Sequence, residues 1–467
     1  MNLFPPLSPE SRRILDGLPG LVDKVFPLPN RFRPSLPRDV AELSRLLTGG
    51  RGDRAASYPG QPKFLSAYLR YFLPWNLYRL CRLLPSLPLS LHDGDALVDL
   101  GSGPLTFAAA LWISRPDLRG RALEFRCVDQ SGAALDAGKE LCAALFGNSS
   151  PWKIKTIRAV LGAPGSGAGG RAHDRGLYGP PARLVSAINF FNELYEDIPH
   201  SDGAGLHRFA DKQARLLSSL AAEDGALLVM EPGVPRSGEF TAALRSALLD
   251  RGRPPAAPCP HAGACPCPGR AGEGRGRAGG KPGDRLAATF DRYGGGGKGR
   301  WCHFAFETAD AAPALQKLSA AAGIPKARAV LSFIYSGAAR PGPARLPGLD
   351  HAGNRSAAAD RAREAGTGAA AGLPALPVRI ISDPFPLPSG GAGAGRNRAG
   401  GKPGDRPGGA AVFGRYGCGE KGLVLIRGRR ELMARYESGV LAEFVLHGAE
   451  RRDPKSGALV LDSNAIP

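Results

Sequence analysis

The sequence predicts an α/β protein built on a doubly wound parallel sheet, with a helical region before it and a loop-rich, cysteine-bearing extension after it. Three observations carry that prediction. Strand-like and helix-like segments alternate from Ala96 to Met230, a glycine turn follows the first strand, and an aspartate ends the second.

The elements follow in order. Residues 1–92 read as a helical region: Asp39 to Leu47 and Phe64 to Leu84 place apolar residues at three- and four-residue spacing, and Pro74 is expected to break or kink the second segment. The aromatic side chains of that segment (Phe64, Tyr68, Tyr71, Phe72, Trp75, Tyr78) are suited to a core more than to stacking on bases. Residues 93–252 carry the sheet. Strands are expected at Ala96–Leu100, Ala122–Val128, Trp152–Leu161, Arg183–Phe190 and Gly225–Met230, with helices at Leu105–Ile113, about Ala133 to Leu145, and Leu206–Leu220. Helices of that length between strands imply right-handed crossovers and a parallel sheet covered on both faces.

Beyond residue 252 the alternation fails. Short strand-like pieces (Ala329–Tyr335, Val378–Ser382, Leu423–Arg427) stand among Gly-, Pro-, Ala- and Arg-rich stretches, and the chain holds 64 Gly and 43 Pro in all. Residues 253–440 therefore read as a basic, cysteine-rich region with low-complexity insertions, and 441–467 as a tail. The motif RAGGKPGDR occurs twice, at Arg277–Arg285 and Arg398–Arg406, each copy followed by Phe-x-Arg-Tyr-Gly. Two copies are too few for a solenoid, so they read as duplicated loop insertions.

Charge follows the same division. The net charge is +19; residues 1–250 hold 29 basic and 25 acidic side chains, the remainder 32 and 17. A basic excess of this kind favours a polyanionic partner, usually nucleic acid, through counterion release; an Arg- and Ala-rich genome is the bland alternative. No apolar run approaches the roughly 20 residues of a membrane helix, and MNLFPPLSPESRRIL lacks a basic-then-apolar leader pattern. The expectation is a cytoplasmic monomer with no membrane partner, in which eight Cys do not form a disulfide framework.

The glycine turn reads Val98-Asp99-Leu100-Gly101-Ser102-Gly103-Pro104. Glycines let the backbone turn sharply against a ligand, and the next helix offers unpaired N–H groups. Asp129, ending the second strand, is placed to accept hydrogen bonds from ribose hydroxyls. The dinucleotide fingerprint Gly-x-Gly-x-x-Gly is absent. Asp99 instead fits the Asp/Glu-x-Gly-x-Gly pattern of class I methyltransferases, with Leu105 where that pattern often has a third glycine. S-adenosylmethionine is therefore the expected ligand, with Asp99, Gly101, Ser102, Gly103 and Asp129 as its candidate residues.

Catalytic residues are not identified. The place after the fourth strand reads Ile188-Asn189-Phe190-Phe191-Asn192-Glu193-Leu194-Tyr195, without the Pro-Pro pair of methyltransferases acting on base nitrogens. No cysteine nucleophile stands there either. Glu193 is suited to orienting a substrate or, more simply, to a structural role after the strand.

Cys259-Pro-His-Ala-Gly-Ala-Cys265-Pro-Cys267 is a dense thiolate source; Trp301-Cys302-His303-Phe304 and Cys418 add to it. Soft ligands gathered from separate loops suit an iron–sulfur cluster or zinc. Paired Cys-x2-Cys spacing is missing, while His261 and His303 keep zinc open as an alternative. The Cys-x3-Cys-x2-Cys loop of radical S-adenosylmethionine enzymes is absent.

Four segments in order, Leu97–Thr106, Val229–Gly238, Pro258–Pro266 and Trp301–Phe304, resemble the methyltransferase-like small-ribosomal-subunit assembly factors, a family with mitochondrial members and bacterial relatives. The Cys-Pro-His run with the downstream Trp-Cys-His-Phe is the specific part, and the resemblance runs from about residue 60 to 430. It implies a class I methyltransferase-like fold that associates with the small ribosomal subunit, binds its rRNA during assembly, and holds a four-iron, four-sulfur (4Fe-4S) cluster. On this resemblance Cys259 and Cys265 are the first two ligands, Cys302 the third and Cys418 the fourth, with Cys267 an extra thiol or a substitute. The implied role is in assembly or translation, the cluster being structural; an active S-adenosylmethionine-dependent rRNA methyltransferase is the alternative.

Overall fold

The computed structural model describes residues 2–48, 61–161, 179–195, 197–269, 300–337, 375–387, 412–446 and 449–462. Both RAGGKPGDR copies lie outside these ranges.

The N-terminal region is helical as expected: α1 (Pro9–Val25), α2 (Leu36–Thr48), α3 (Pro62–Ala67) and α4 (Leu73–Leu83). Pro74 does not break the helix. A π-turn over Tyr68–Phe72 joins α3 to α4, with the Leu73 N–H reaching back to the Tyr68 carbonyl. The Pro74 ring falls at the second residue of α4, in its first turn, where the lost N–H costs least. Phe64, Tyr71, Trp75 and Tyr78 are all buried. Their polar atoms tie the helices to later parts of the chain, as in the 3.2 Å bond from Trp75 Nε1 to Ser319 Oγ.

The main sheet begins with β1 (Ala96–Leu100), then α5 (Thr106–Ser114), β2 (Glu124–Asp129), α6 (Gly132–Phe146), β3 (Lys153–Arg158) and β4 (Ala182–Ile188). It continues through α7 (Gly203–Leu220), β5 (Ala221–Pro232), α8 (Pro235–Leu249) and β6 (Pro255–Ala257). A two-stranded ribbon of β7 (Pro268–Gly269) and β8 (Arg300–Trp301) precedes β9 (Phe304–Glu307), α9 (Pro313–Ala321) and β10 (Arg328–Ser336). Strand order is β3-β2-β1-β4-β5-β10-β6, with β9 on the free length of β10. The first five strands pair in parallel, while β10 runs antiparallel to β5, β6 and β9. This is the class I methyltransferase-like arrangement.

The sheet therefore extends past residue 252, since β6, β9 and β10 complete it. One face packs with α5, α6 and the N-terminal helices, the other with α7 and α8, giving two apolar layers around a single sheet.

The C-terminal region is more ordered than its composition predicts. β11 (Ala375–Ile380), β12 (Phe385–Pro386), β13 (Phe413–Gly419), β14 (Gly422–Gly428), β15 (Leu441–Val445) and β16 (Leu459–Asp462) form a second sheet, with the short helix α10 (Arg430–Ala434) between β14 and β15. Its order is β15-β11-β13-β14-β16, with β12 on β13. Val378, Ile380, Val424, Ile426 and Phe444 bury a core of its own. Residues read as a tail thus supply both outer strands. They alternate over only four or five residues, too short a run to stand out between Gly-rich segments.

Candidate functional site

At the C-terminal edge of β1, β2 and β4 lies an open cavity with room for about 130 Å³. Gly101, Gly103 and Asp129 line it, facing Phe190 and Glu193 from the loop after β4 and Phe64, Leu65 and Tyr68 from the N-terminal helices.

The glycine turn has the conformation its residues permit. Gly101 and Gly103 have φ of +66° and +51°, a region open to glycine at little cost. A side chain on Gly101 would also place its Cβ 2.8 Å from Phe190 Cγ. Leu105, at the position of the missing third glycine, is left-handed as well, with φ +54°. That backbone costs a branched residue about 1–2 kcal/mol, and complete burial of the Leu105 side chain offsets it. Gly138 on α6 makes the room, because a Cβ there would stand 2.5 Å from Leu105 Cδ1.

Asp129 is held by backbone alone: Gly103 N–H donates to Oδ2 and Ser131 N–H to Oδ1, each at 2.8 Å. Burial raises its pKa against those donors. Each oxygen retains a lone pair for a further donor from the cavity. Asp99 and Ser102 are not lining residues. Asp99 is buried behind the turn, accepting from Ser186 Oγ at 2.7 Å, and burial pushes its carboxyl up to about 7. Ser102 Oγ donates to the Asp99 carbonyl at 2.8 Å, while its N–H joins Val128 O at 3.0 Å. Both buttress the turn.

The opposite wall depends on a residue to which sequence reading gave no role. Glu231, fully buried at the end of β5, accepts from Phe191 N–H at 2.9 Å and Asn192 N–H at 3.1 Å. It fixes the loop that carries Phe190 and Glu193, and burial pushes its carboxyl up to about 8. In the orientation that satisfies its amide, Asn192 donates to Glu231 Oε2 and to the Asn189 carbonyl. The amide is thus used within the loop and not presented to the cavity. The available signal was the acid in Val229-Met230-Glu231-Pro232-Gly233, where a strand buried on both faces ends. Tyr68 was likewise seen only as one of an aromatic stripe.

The cysteines meet elsewhere. Cys259 follows β6, Cys265 and Cys267 lie in the loop to β7, Cys302 separates β8 from β9, and Cys418 sits in β13 of the second sheet. Burial raises the Cys418 thiol well above its ordinary value, and the charges of Cys259, Cys267, Cys265 and Cys302 raise it further. Cys302 responds to burial and then to Cys267, Cys259 and Cys265. All five thiols therefore share one low-dielectric region.

Two buried arginines flank them. Arg245 of α8 donates to Cys259 Sγ at 3.2 Å and to the carbonyls of His261 and Gly263 at 2.8 Å. Arg379 of β11 donates to the Pro258 and Gly439 carbonyls. His261 Nε2 stands 3.1 Å from Cys418 Sγ, and its Nδ1 is buried without a partner. Among the described residues, no three His, Cys, Asp or Glu side chains are grouped closely enough to hold a metal ion.

A model of the Rsm22 family, described as mitochondrial small ribosomal subunit Rsm22, matches residues 205–271. The chain resembles the Rsm22 family. The matched stretch runs from α7 through Glu231 and Arg245 to the loop with Cys259, Cys265 and Cys267, so it includes the acid behind the Phe190 loop and the first thiols but none of the residues that line the cavity. No curated protein matches the chain.

Among solved structures, TrmN from Thermus thermophilus is 17% identical over 38% of this chain and 45% of its own, with a TM-score of 0.24. The chain thus spans less than half of that protein's length. A complex of the Haloferax volcanii Trm112 methyltransferase activator and a putative methyltransferase is 12% identical over 57% of this chain and 90% of the other, with a TM-score of 0.27. Aeropyrum pernix fibrillarin, with natively bound S-adenosyl-L-methionine, is 17% identical over 38% and 67%, with a TM-score of 0.25. The fold rests on strand order and not on these scores. Among the described residues no helix is long and apolar enough to cross a membrane.

Proposed function

We propose that this chain is a ribosome-associated, methyltransferase-like protein that binds small-subunit rRNA and supports small-subunit assembly or translation. S-adenosylmethionine would lie against the Gly101–Gly103 turn with its ribose on Asp129, and a four-iron, four-sulfur cluster would be held by Cys259, Cys265, Cys302 and Cys418. The observation that supports the reading is the gathering of five thiols from three chain segments at the seam between the two sheets.

The donor set fits such a group. Burial keeps Cys265, Cys302 and Cys418 in the neutral thiol form, and a bound soft metal would displace those protons. Wholly soft donors suit an iron–sulfur cluster as well as zinc. When bound, the cluster would supply cross-links among the β6–β7 loop, the β8–β9 junction and β13. The internal use of Asn192 favours a binding role over methyl transfer.

The test is anaerobic purification of the full chain, followed by assays for iron, zinc, acid-labile sulfide and bound RNA. About four iron and four sulfide per chain, together with small-subunit rRNA, are expected. Zinc without sulfide overturns the cluster, and absence of rRNA overturns the ribosomal role. Active methyl transfer is the second reading, favoured by Glu193 lining the cavity beside Asp129. It requires transfer of label from S-adenosylmethionine to small-subunit rRNA that is lost in Asp129→Ala.

A further inference from the structure

Arg245, on α8, is buried, and its donors go to one short loop. Nε donates to Cys259 Sγ at 3.2 Å, and Nη2 donates to the carbonyls of His261 and Gly263, each at 2.8 Å. Three of the five N–H groups of a guanidinium are thus spent between Cys259 and Gly263. The pinned backbone carries the His261 ring, and that ring reaches across the seam. Its Nε2 stands 3.1 Å from Cys418 Sγ, on β13 of the second sheet. One side chain of the main sheet therefore touches one proposed ligand directly and, through the loop it holds, sets the contact to another. Arg379, on β11, grips the same loop by its backbone, donating to the Pro258 carbonyl at 3.0 Å and to the Gly439 carbonyl at 2.8 Å.

A thiolate bound to metal has no proton, so its sulfur can only accept. The ring proton of a neutral His261 must then sit on Nε2 for the ring to bond Cys418. Hydrogen bonds to the sulfurs and a neighbouring cation both favour the form of a cluster that carries one more electron, and they are among the levers by which a protein sets its reduction potential. Arginine suits the position better than lysine, because its planar fork meets three acceptors in fixed directions, which a single ammonium on a flexible stem does not.

We propose that Arg245 is a positioning residue for the iron–sulfur cluster: it holds Cys259 by its sulfur and, through the His261 loop, orients Cys418, and in doing so it raises the reduction potential of the cluster. The inference rests on the reading of Cys259 and Cys418 as cluster ligands and adds the residue that orients them.

The test uses the full chain purified anaerobically. Arg245→Lys and Arg379→Lys each keep a buried charge, while His261→Leu and His261→Gln change a half-buried position and leave both arginines in place. Midpoint potentials come from a dithionite titration followed by electron paramagnetic resonance. Arg245→Lys and His261→Leu should each shift the midpoint to more negative potential, and His261→Gln, whose amide N–H replaces Nε2, should restore part of the shift. Arg379→Lys should leave the midpoint where it is and only release iron to a chelator faster, as the loss of a backbone clamp does. An unchanged midpoint in Arg245→Lys and His261→Leu overturns the proposal. So does an equal shift in Arg245→Lys and Arg379→Lys, which would make Arg245 a backbone clamp and no more. Should Arg245→Lys fail to retain the cluster, the two His261 variants decide. If the unaltered protein holds zinc without sulfide, the cluster reading falls separately, and cobalt(II) in place of the zinc then reports on the sulfurs. A thiolate-to-cobalt absorption band unmoved in Arg245→Lys and His261→Leu overturns the positioning role; a band moved in those two and not in Arg379→Lys upholds it.

Discussion

The two candidate sites are built on opposite principles. Around the cofactor cavity every buried acid has its donors: Asp129 takes two backbone N–H groups, Asp99 takes Ser186, and Glu231 takes two more. That wall is satisfied before any ligand arrives. At the seam between the sheets, five thiols lie with two buried arginines, and Cys267 and Cys418 are packed into the same apolar cluster as Phe304, Ile381, Leu423 and Leu425. The cavity is preorganised before any ligand binds, whereas the seam, on the proposed reading, is completed by the cluster. Removing ligand contacts should therefore cost binding at the first site and folding at the second.

The largest effect is expected at the seam. Cys302→Ser or Cys418→Ser should abolish iron and sulfide and lower stability by on the order of 5 kcal/mol or more, since structural metal binding is folding free energy. Cys267→Ser should retain both, as Cys267 is not among the four proposed ligands. Metal analysis alongside chemical denaturation measures this. Iron retained in Cys302→Ser but lost in Cys267→Ser would exchange their roles.

Next in size is Gly101→Ala. The added methyl meets the Phe190 ring in a left-handed backbone, a combined cost of about 2–4 kcal/mol. Calorimetry should find S-adenosylmethionine binding lost. Gly94→Ala supplies the comparison, being left-handed at φ +86° with open space around its Cβ. It should cost about 1 kcal/mol and leave binding intact. Equal effects of the two on binding would place the ligand elsewhere.

How much of each site was legible in the sequence follows from the same contrast. The glycine turn and Asp129 are local: a motif of seven residues and a strand end specify the cavity floor, and the first five strands stood out as short apolar or alternating runs among helix-like segments. The walls were not legible, because Tyr68 and Glu231 act through contacts made across 35 to 100 residues or more. The cysteines drew notice by their chemistry, and resemblance supplied their pairing into a set. What composition concealed was the second sheet, whose strands are interrupted by stretches at 388–411 and 447–448 and whose closing strands are only four or five residues long.

The smallest effect separates the sites by pH. Glu231 and Asp99 have folded pKa values raised to about 8 and about 7 by burial, against about 4 in an unfolded chain. The native state thus binds more protons than the unfolded state between these values, and the slope of unfolding free energy with pH is negative there. This contribution is fully present below about pH 4 and is lost as pH rises through 7 to 8. Glu231→Gln should flatten that decline while costing about 1–2 kcal/mol near pH 6, because an amide cannot accept both the Phe191 and Asn192 N–H groups. Denaturation midpoints of cluster-loaded protein between pH 5 and 9 would measure it. A decline equally steep in Glu231→Gln would move its origin away from the cavity wall, to Asp99 or to the thiols at the seam, and Asp99→Asn in the same series separates those two.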